Sequence, residues 1–336
     1  MDGGVNRSGT NGRQVRRFRR PGYASVIWAA YDRPGKPACE RGRNLDLPTT
    51  AFLSLRSRFF NNAGDAKPFS LRPKRNTQDD PFDEMLATVA LSKLSGVTCD
   101  KATGPLITPD MALYRPDRCE EVAAKDLKND LDRIVGIEVK KLERTAQGSV
   151  ARSSGLDYNT TPPCGRTRVY DEAGETVDIR GFYLFVCLEK APASKVVVTA
   201  MAMVDGNLLN SDFDYYLSIV GRRQKEIGLG TYGDGANRAR PMVIFGNPLG
   251  IPQLSHGACL VHPAADLEKK TGDLKRVAEI VRTAVDGSAH RFSCYRLAAD
   301  AAPDAKLEVL EDPFQTPKSR KAETSARGRF KLSFRV

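Results

Sequence analysis

Hydrophobic positions along this 336-residue chain fall mostly into short runs of strand character, with fewer segments at helical spacing. In "DDPFDEMLATVALSKLSG", residues 79 to 96, Phe82, Met85, Leu86, Val89 and Leu94 predict an amphipathic helix. Asp80 can cap it, Pro81 suits its first position, and Gly96 supplies a stop. Met111 to Tyr114 read as a short strand entered through Pro109 and Asp110, and Ile134 to Lys141 as a longer one. "GFYLFVCLE", 181 to 189, is a continuous apolar run, as in a strand covered on both faces. "KVVVTAMAMVDG", 195 to 206, and "PMVIFGN", 241 to 247, are similar in character.

Two further helices are expected. One spans 211 to 228, capped by Ser211 and ending in Arg222, Arg223 and Lys225. The other spans 273 to 285, stops at Gly287, and leads into a strand from Arg291 to Leu297. "YASVIWAAYD", 23 to 32, is a strand or a short helix, since periodicity does not decide between them. Residues 144 to 180, rich in Pro, Gly, Ser and Thr, read as a long loop. Strands and helices that interleave in this way predict an α/β fold, with a central mixed β-sheet flanked by helices.

One strand breaks the apolar rule. In "IVGIEVKKLE", residues 134 to 143, side chains alternate between faces, so Glu138 and Lys140 share one face and Ile137 and Val139 the other. An exposed ion pair on an edge strand would explain the pattern at little energetic gain. Yet "RIVGIEV" is apolar around it, and Gly136 permits close approach of another backbone.

Composition narrows the classes. No apolar run is long enough to cross a bilayer, no secretory signal pattern opens the chain, and the seven cysteines form no CxxC pair. The expectation is a soluble protein of a reducing, cytoplasmic compartment, without a zinc framework and without a membrane partner. The net charge of +11 lies at the ends: residues 1 to 20 hold six Arg and one Asp, and residues 318 to 336 hold seven Lys or Arg and one Glu. Basic arms of this kind suit a polyanion, because each phosphate they neutralise releases counterions. The expected organisation is a basic N-terminal arm over 1 to 20, a single domain over 21 to 317 with its core at about 80 to 250, and a basic tail over 318 to 336.

If the strand opened by Asp110 pairs with the strand bearing Glu138 and Lys140, two carboxylates and an amine converge at a sheet rim. Hard oxygen ligands with room for water suit Mg²⁺, which shares its coordination with substrate phosphates. The implied chemistry is phosphodiester hydrolysis. Pro109-Asp110 followed by Glu138-Val139-Lys140 resembles the PD-(D/E)xK nuclease motif, and in size and layout the chain is similar to type II restriction endonucleases over roughly residues 80 to 205. The resemblance implies a restriction-endonuclease-like core and Mg²⁺ held by Asp110, Glu138 and the Val139 carbonyl. It also implies Lys140 at the attacking water and a further helix acid, for which Glu84 is the candidate. A symmetric duplex DNA target would suit a homodimer. The alternatives are a repair or recombination nuclease of the same fold and a DNA-binding protein without chemistry.

Other signals carry less. Pro116-Asp117 is explained by turn chemistry. "GLGTYG", 228 to 233, follows a predicted helix, where a dinucleotide fingerprint must follow a strand. His256, His262 and His290 stand in no ligand pattern and Cys164 has no neighbouring His, so packing or surface roles are expected. Arg152, Asn159, Arg166 and Arg168 of the 144 to 180 segment, with Arg238 and Arg240, are the candidate DNA contacts.

Overall fold

The computed structural model describes residues 45 to 311, apart from 77–78, 103–108, 117–125, 145, 149, 152–157, 161–164, 172–173, 210–242, 246–247, 285–286 and 302–305. The fold is α/β, with a large mixed β-sheet and few helices. The expected helix at 211 to 228, the segment 23 to 32 and both basic termini lie outside the described residues, as do Arg152, Arg238, Arg240, Cys164, Asp117 and the Gly-rich 228 to 233.

Helix α1 (Leu47–Phe59) starts where the Asp46 carboxylate accepts the Thr49 N–H at 2.9 Å, with Pro48 in its first turn. Its Phe52, Leu55 and Phe59 are fully buried. Helix α2 (Pro81–Met85) has the predicted cap: Asp80 accepts from the N–H groups of Phe82 and Asp83. The predicted continuation to residue 96 is shorter and of another kind, a π-helical turn from Leu86 to Leu91. There Ser92 N–H bonds Ala87 O at 3.1 Å, and the Thr88 and Ser92 hydroxyls donate to the carbonyls four residues back. Such back-bonding loosens the α-helical ladder. Val89, expected on the apolar face, is 36% exposed.

The strands are β1 (Thr98–Lys101), β2 (Met111–Tyr114), β3 (Asp126–Leu127), β4 (Ile134–Arg144), β5 (Val150–Ala151), β6 (Tyr158–Thr160) and β7 (Arg166–Tyr170). They continue with β8 (Thr176–Ala191), β9 (Lys195–Asp205), β10 (Val243–Phe245), β11 (Gly257–His262), β12 (Leu274–Thr283), β13 (Ala289–Leu297) and β14 (Glu308–Glu311). The order across the main sheet is β1-β2-β4-β8-β9-β11-β13-β12-β14, while β6 and β10 pair separately. β2 runs antiparallel to β4, β4 parallel to β8, and β8 antiparallel to β9. α1, α2 and the π-turn cover one face over Val135, Ile137, Val139, Phe182 and Leu184. The other face packs Tyr183, Phe185 and Ala202 against Leu208, Leu209 and Leu249.

Two expectations need correction. Residues 273 to 285 are not a helix but strand β12, hydrogen-bonded to β13 through a turn in which Gly287 has φ +82. Its Leu274, Ala278 and Ile280 are buried on the strand period, and pairing with β13 decides against the helical stripe that Leu274, Val277, Ala278 and Val281 also make. Residues 144 to 180 are not one loop: β7 and the first part of β8 pair antiparallel within them, burying Val169, Val177 and Ile179. α1, β1, β11 and β14 were not anticipated. Among the described residues, no helix is long and apolar enough to cross a membrane.

Candidate active site

The Asp110 strand and the Glu138 strand are neighbours. Met111 pairs with Ile137 and Tyr114 with Ile134, so extending the register by one residue sets Asp110 directly across from Glu138. On the other edge of β2, the Asp110 carbonyl accepts the Ala102 N–H at 2.8 Å, which continues the β1 ladder. Its side chain turns toward β4, where Oδ2 accepts the Val139 N–H at 2.7 Å. Antiparallel partners that do not exchange backbone bonds bring their side chains closest, and like charges so placed repel. Burial, Glu138 and Asp83 together hold the Asp110 carboxyl well above the usual carboxylate range, against the opposing pull of Lys140 and the Val139 N–H.

Glu138 and Lys140 occupy one face of β4, as predicted. The Lys140 Nζ donates to Glu138 Oε1 at 2.5 Å and lies 5.9 Å from the centre of the Tyr183 ring. Lys140 is only 9% exposed, and Glu138 Oε2 is buried with no hydrogen-bond partner among the described residues. The pair therefore sits inside the rim and not on a solvated edge.

The helix acid whose charge reaches Asp110 is Asp83, from the opposite face of β4 to Glu138 and Lys140, whereas Glu84 points elsewhere. Glu84 is directed to Arg72, which bonds its Oε2 through Nε at 3.1 Å and also binds Asp79 in a bidentate pair. That pairing holds the Glu84 carboxyl below its ordinary value. Asp83 is 7% exposed and pairs with Lys141, whose Nζ donates to Asp83 Oδ1 at 3.1 Å and also to Asp80. Burial pushes the Asp83 carboxyl up to about 6 despite Lys141, with Asp80 adding to the rise. Burial alone would lower Lys141, but Asp83 and Asp80 outweigh it and keep its ammonium above the usual lysine range. The sequence signal for Asp83 was the second lysine of "VKKL": on the opposite face from Lys140, Lys141 needs an acid of its own.

The two described arginine candidates share one acid. Arg168 binds Asp178 through two bonds of 2.7 and 3.0 Å, and Arg166 reaches the same carboxylate at 3.9 Å. Asn159 lies on β6, paired to Ile244 of β10. His262 is 1% exposed, with Nε2 3.3 Å from Asp46 and Nδ1 accepting the Ala264 N–H, so it secures the start of α1. His256 and His290 bond neighbouring serines at the surface.

A hard divalent cation suits the oxygen donors at the rim, opposed carboxylates of which Glu138 Oε2 is buried without a hydrogen-bond donor among the described residues. Among the described residues, no group of three or more His, Cys, Asp or Glu side chains is gathered as a ready cage. A site here would draw on backbone oxygen as well as the two carboxylates. The chain matches no family model, no curated protein and no solved structure.

Proposed function

We propose that the chain is a Mg²⁺-dependent endonuclease that hydrolyses phosphodiester bonds of duplex DNA at a short specific sequence, in the manner of type II restriction enzymes. The observation that carries this reading is the juxtaposition of Asp110 and Glu138 across the β2–β4 rim, with Lys140 on Glu138. Two carboxylates set against each other in a buried place destabilise the fold unless a proton or a cation lies between them.

Asp110, Glu138 and the Val139 carbonyl would hold the ion. When bound, Mg²⁺ supplies charge neutralisation at a phosphoryl oxygen and a water of lowered pKa. The protein's own groups do the rest. Asp110 is anchored by the Val139 N–H, so one of its oxygens is fixed in place. Lys140 donates from Nζ, orienting Glu138 in the resting state and, with DNA in place, the attacking water. Its positive charge offsets that which develops on the phosphate. Asp83 and Lys141 brace α2 against β4 behind Asp110.

Duplex DNA as substrate, a homodimer matching a symmetric site, and a cytoplasmic setting belong to the same proposal. Phosphate contacts are assigned first to the basic termini, which carry the whole net charge of +11. Arg166 and Arg168 already share Asp178 and are weaker candidates.

The test is incubation of the full chain with bacteriophage DNA, with Mg²⁺ or with a chelator, followed by end mapping. Discrete fragments that need Mg²⁺ and vanish in Asp110→Asn are expected. Cleavage confined to junctions or flaps would make the protein a repair-type nuclease. DNA binding with no Mg²⁺-dependent cleavage would leave a binding protein and end the proposal.

A further inference from the structure

Gly136 lies on the Glu138 face of β4 and has no positive φ, so its backbone does not require glycine. Space does. A Cβ at this position would stand 2.9 Å from Pro109 Cγ, 3.1 Å from Pro109 Cβ and 3.1 Å from Thr167 Cγ2. None of these is the loose end of a long side chain: the proline ring is closed, and Thr167 is 5% exposed and β-branched. The Pro109 ring therefore lies against β4 where Gly136 leaves room for it.

The ladder explains what this contact does. Val139 turns its N–H toward Asp110, so the odd-numbered residues of β4 present their backbone groups to β2. After Met111 with Ile137, the next bonded pair of the register is Pro109 with Val139. Proline has no N–H, so it cannot donate to the Val139 carbonyl. The Val139 N–H, in turn, goes to the Asp110 side chain.

We infer that Pro109 and Gly136 act together as positioning residues for the rim. The missing Cβ at 136 seats the ring, and the seated ring ends the ladder one pair early. Asp110 is thereby aimed at the Val139 N–H, and the Val139 carbonyl is left without a ladder donor, on the same edge as the Asp110 carboxylate. The claim deepens the nuclease reading, since the freed carbonyl gains its use from a cation. The geometric part stands or falls without any ion.

The experiment follows hydrogen exchange of the Val139 amide by NMR in the ¹⁵N-labelled full chain, without metal or DNA, at one fixed pH. In the native protein this amide is protected by its bond to the Asp110 carboxylate, and in Asp110→Ala the protection falls. In Gly136→Ala exchange at Val139 accelerates about tenfold, the equivalent of about 1.4 kcal/mol. Mg²⁺-dependent cleavage falls about a hundredfold, as for a misplacement of about 1 Å. The loss of unfolding stability from Gly136→Ala is much smaller in a Pro109→Ala background, because the ring it strikes is gone. Pro109→Ala alone adds no Cβ at 136, so it creates no clash there, and it also loses protection of the Val139 amide.

Two results overturn the inference: a Val139 amide as protected in Pro109→Ala as in the native protein, or a Gly136→Ala cost equal in both backgrounds. Native protein that neither binds Mg²⁺ nor cuts DNA would end the nuclease reading while leaving the amide result to decide this one.

Discussion

The Asp110 carboxylate accepts the Val139 N–H at 2.7 Å while Glu138, one residue earlier on β4, faces it across the strand pair. One acid is thus fixed by backbone and opposed by a neighbour of its own charge. Burial and Glu138 raise the Asp110 carboxyl, so the folded state binds a proton there more readily than the unfolded chain. Stability from this group is full below the unfolded aspartate value and is lost as pH rises through the folded one.

Asp110→Asn is therefore expected to raise the unfolding temperature at pH 8 by a few degrees while abolishing Mg²⁺-dependent cleavage. The gap over the native protein should close as pH falls below about 4, where the unfolded aspartate is also protonated. Thermal unfolding followed from pH 3 to 8 measures it, and a variant less stable than the native chain at pH 8 contradicts it. Added Mg²⁺ should raise the native unfolding temperature but not that of Asp110→Asn.

Asp83 and Glu84 are adjacent on α2 with opposite surroundings. Asp83→Asn weakens the Lys141 clamp behind Asp110 and should lower cleavage about tenfold or more. Glu84→Gln touches only the Arg72 cluster and should leave cleavage within about twofold, because exposed pairs of this kind contribute little. Parallel cleavage assays settle the order, and equal losses would remove the distinction. The Asp83 carboxyl, pushed up to about 6, also predicts native stability that declines between pH 4 and 6, with a shallower decline in Asp83→Asn.

Lys140→Met keeps the length of a side chain that is 9% exposed but removes the charge bound to Glu138. Cleavage should fall about 10²- to 10⁴-fold, the range for loss of a positioned proton-handling group. DNA affinity in a filter-binding or anisotropy assay should change far less, because one charge among many phosphate contacts is removed. A parallel collapse of affinity would place Lys140 in binding instead of chemistry.

The turn joining β8 to β9 offers a test of the fold alone. Ala193 and Ser194 have φ of 57 and 56, a left-handed conformation that costs an L-residue about 1 kcal/mol or more. Ala193→Gly or Ser194→Gly should raise unfolding stability by about 0.5–1 kcal/mol with cleavage unchanged. Denaturant titration decides between this and a loss.

The rim was legible because its signals are local and alternate with the strand period. Glu138 and Lys140 stand out as charges in "RIVGIEV" and its continuation, and Pro109-Asp110 opens the strand that pairs with them. Asp83 was missed because its partner, Lys141, is 58 residues away and is visible only once α2 packs on β4. Glu84 looked equally placed until Arg72 claimed it. β12 was read as helix because Leu274, Val277, Ala278 and Val281 fit a helical stripe, and nothing within that segment announces its partner β13. The closeness allowed by Gly136 was anticipated as an approach of backbone, whereas the ring of Pro109 fills it.

β8 is the spine of the sheet, sixteen residues long, with β4 and β3 on one side and β7 and β9 on the other. Val135 lies beside Arg180, far later in the chain, so the parallel seam that holds Glu138 and Lys140 cannot close early in synthesis. Non-local parallel pairing is slow to form. A ribosome that has released β1, β2 and β4 still holds a chain whose rim acids have no platform, so Asp110, Glu138 and Lys140 come into register only when the spine arrives.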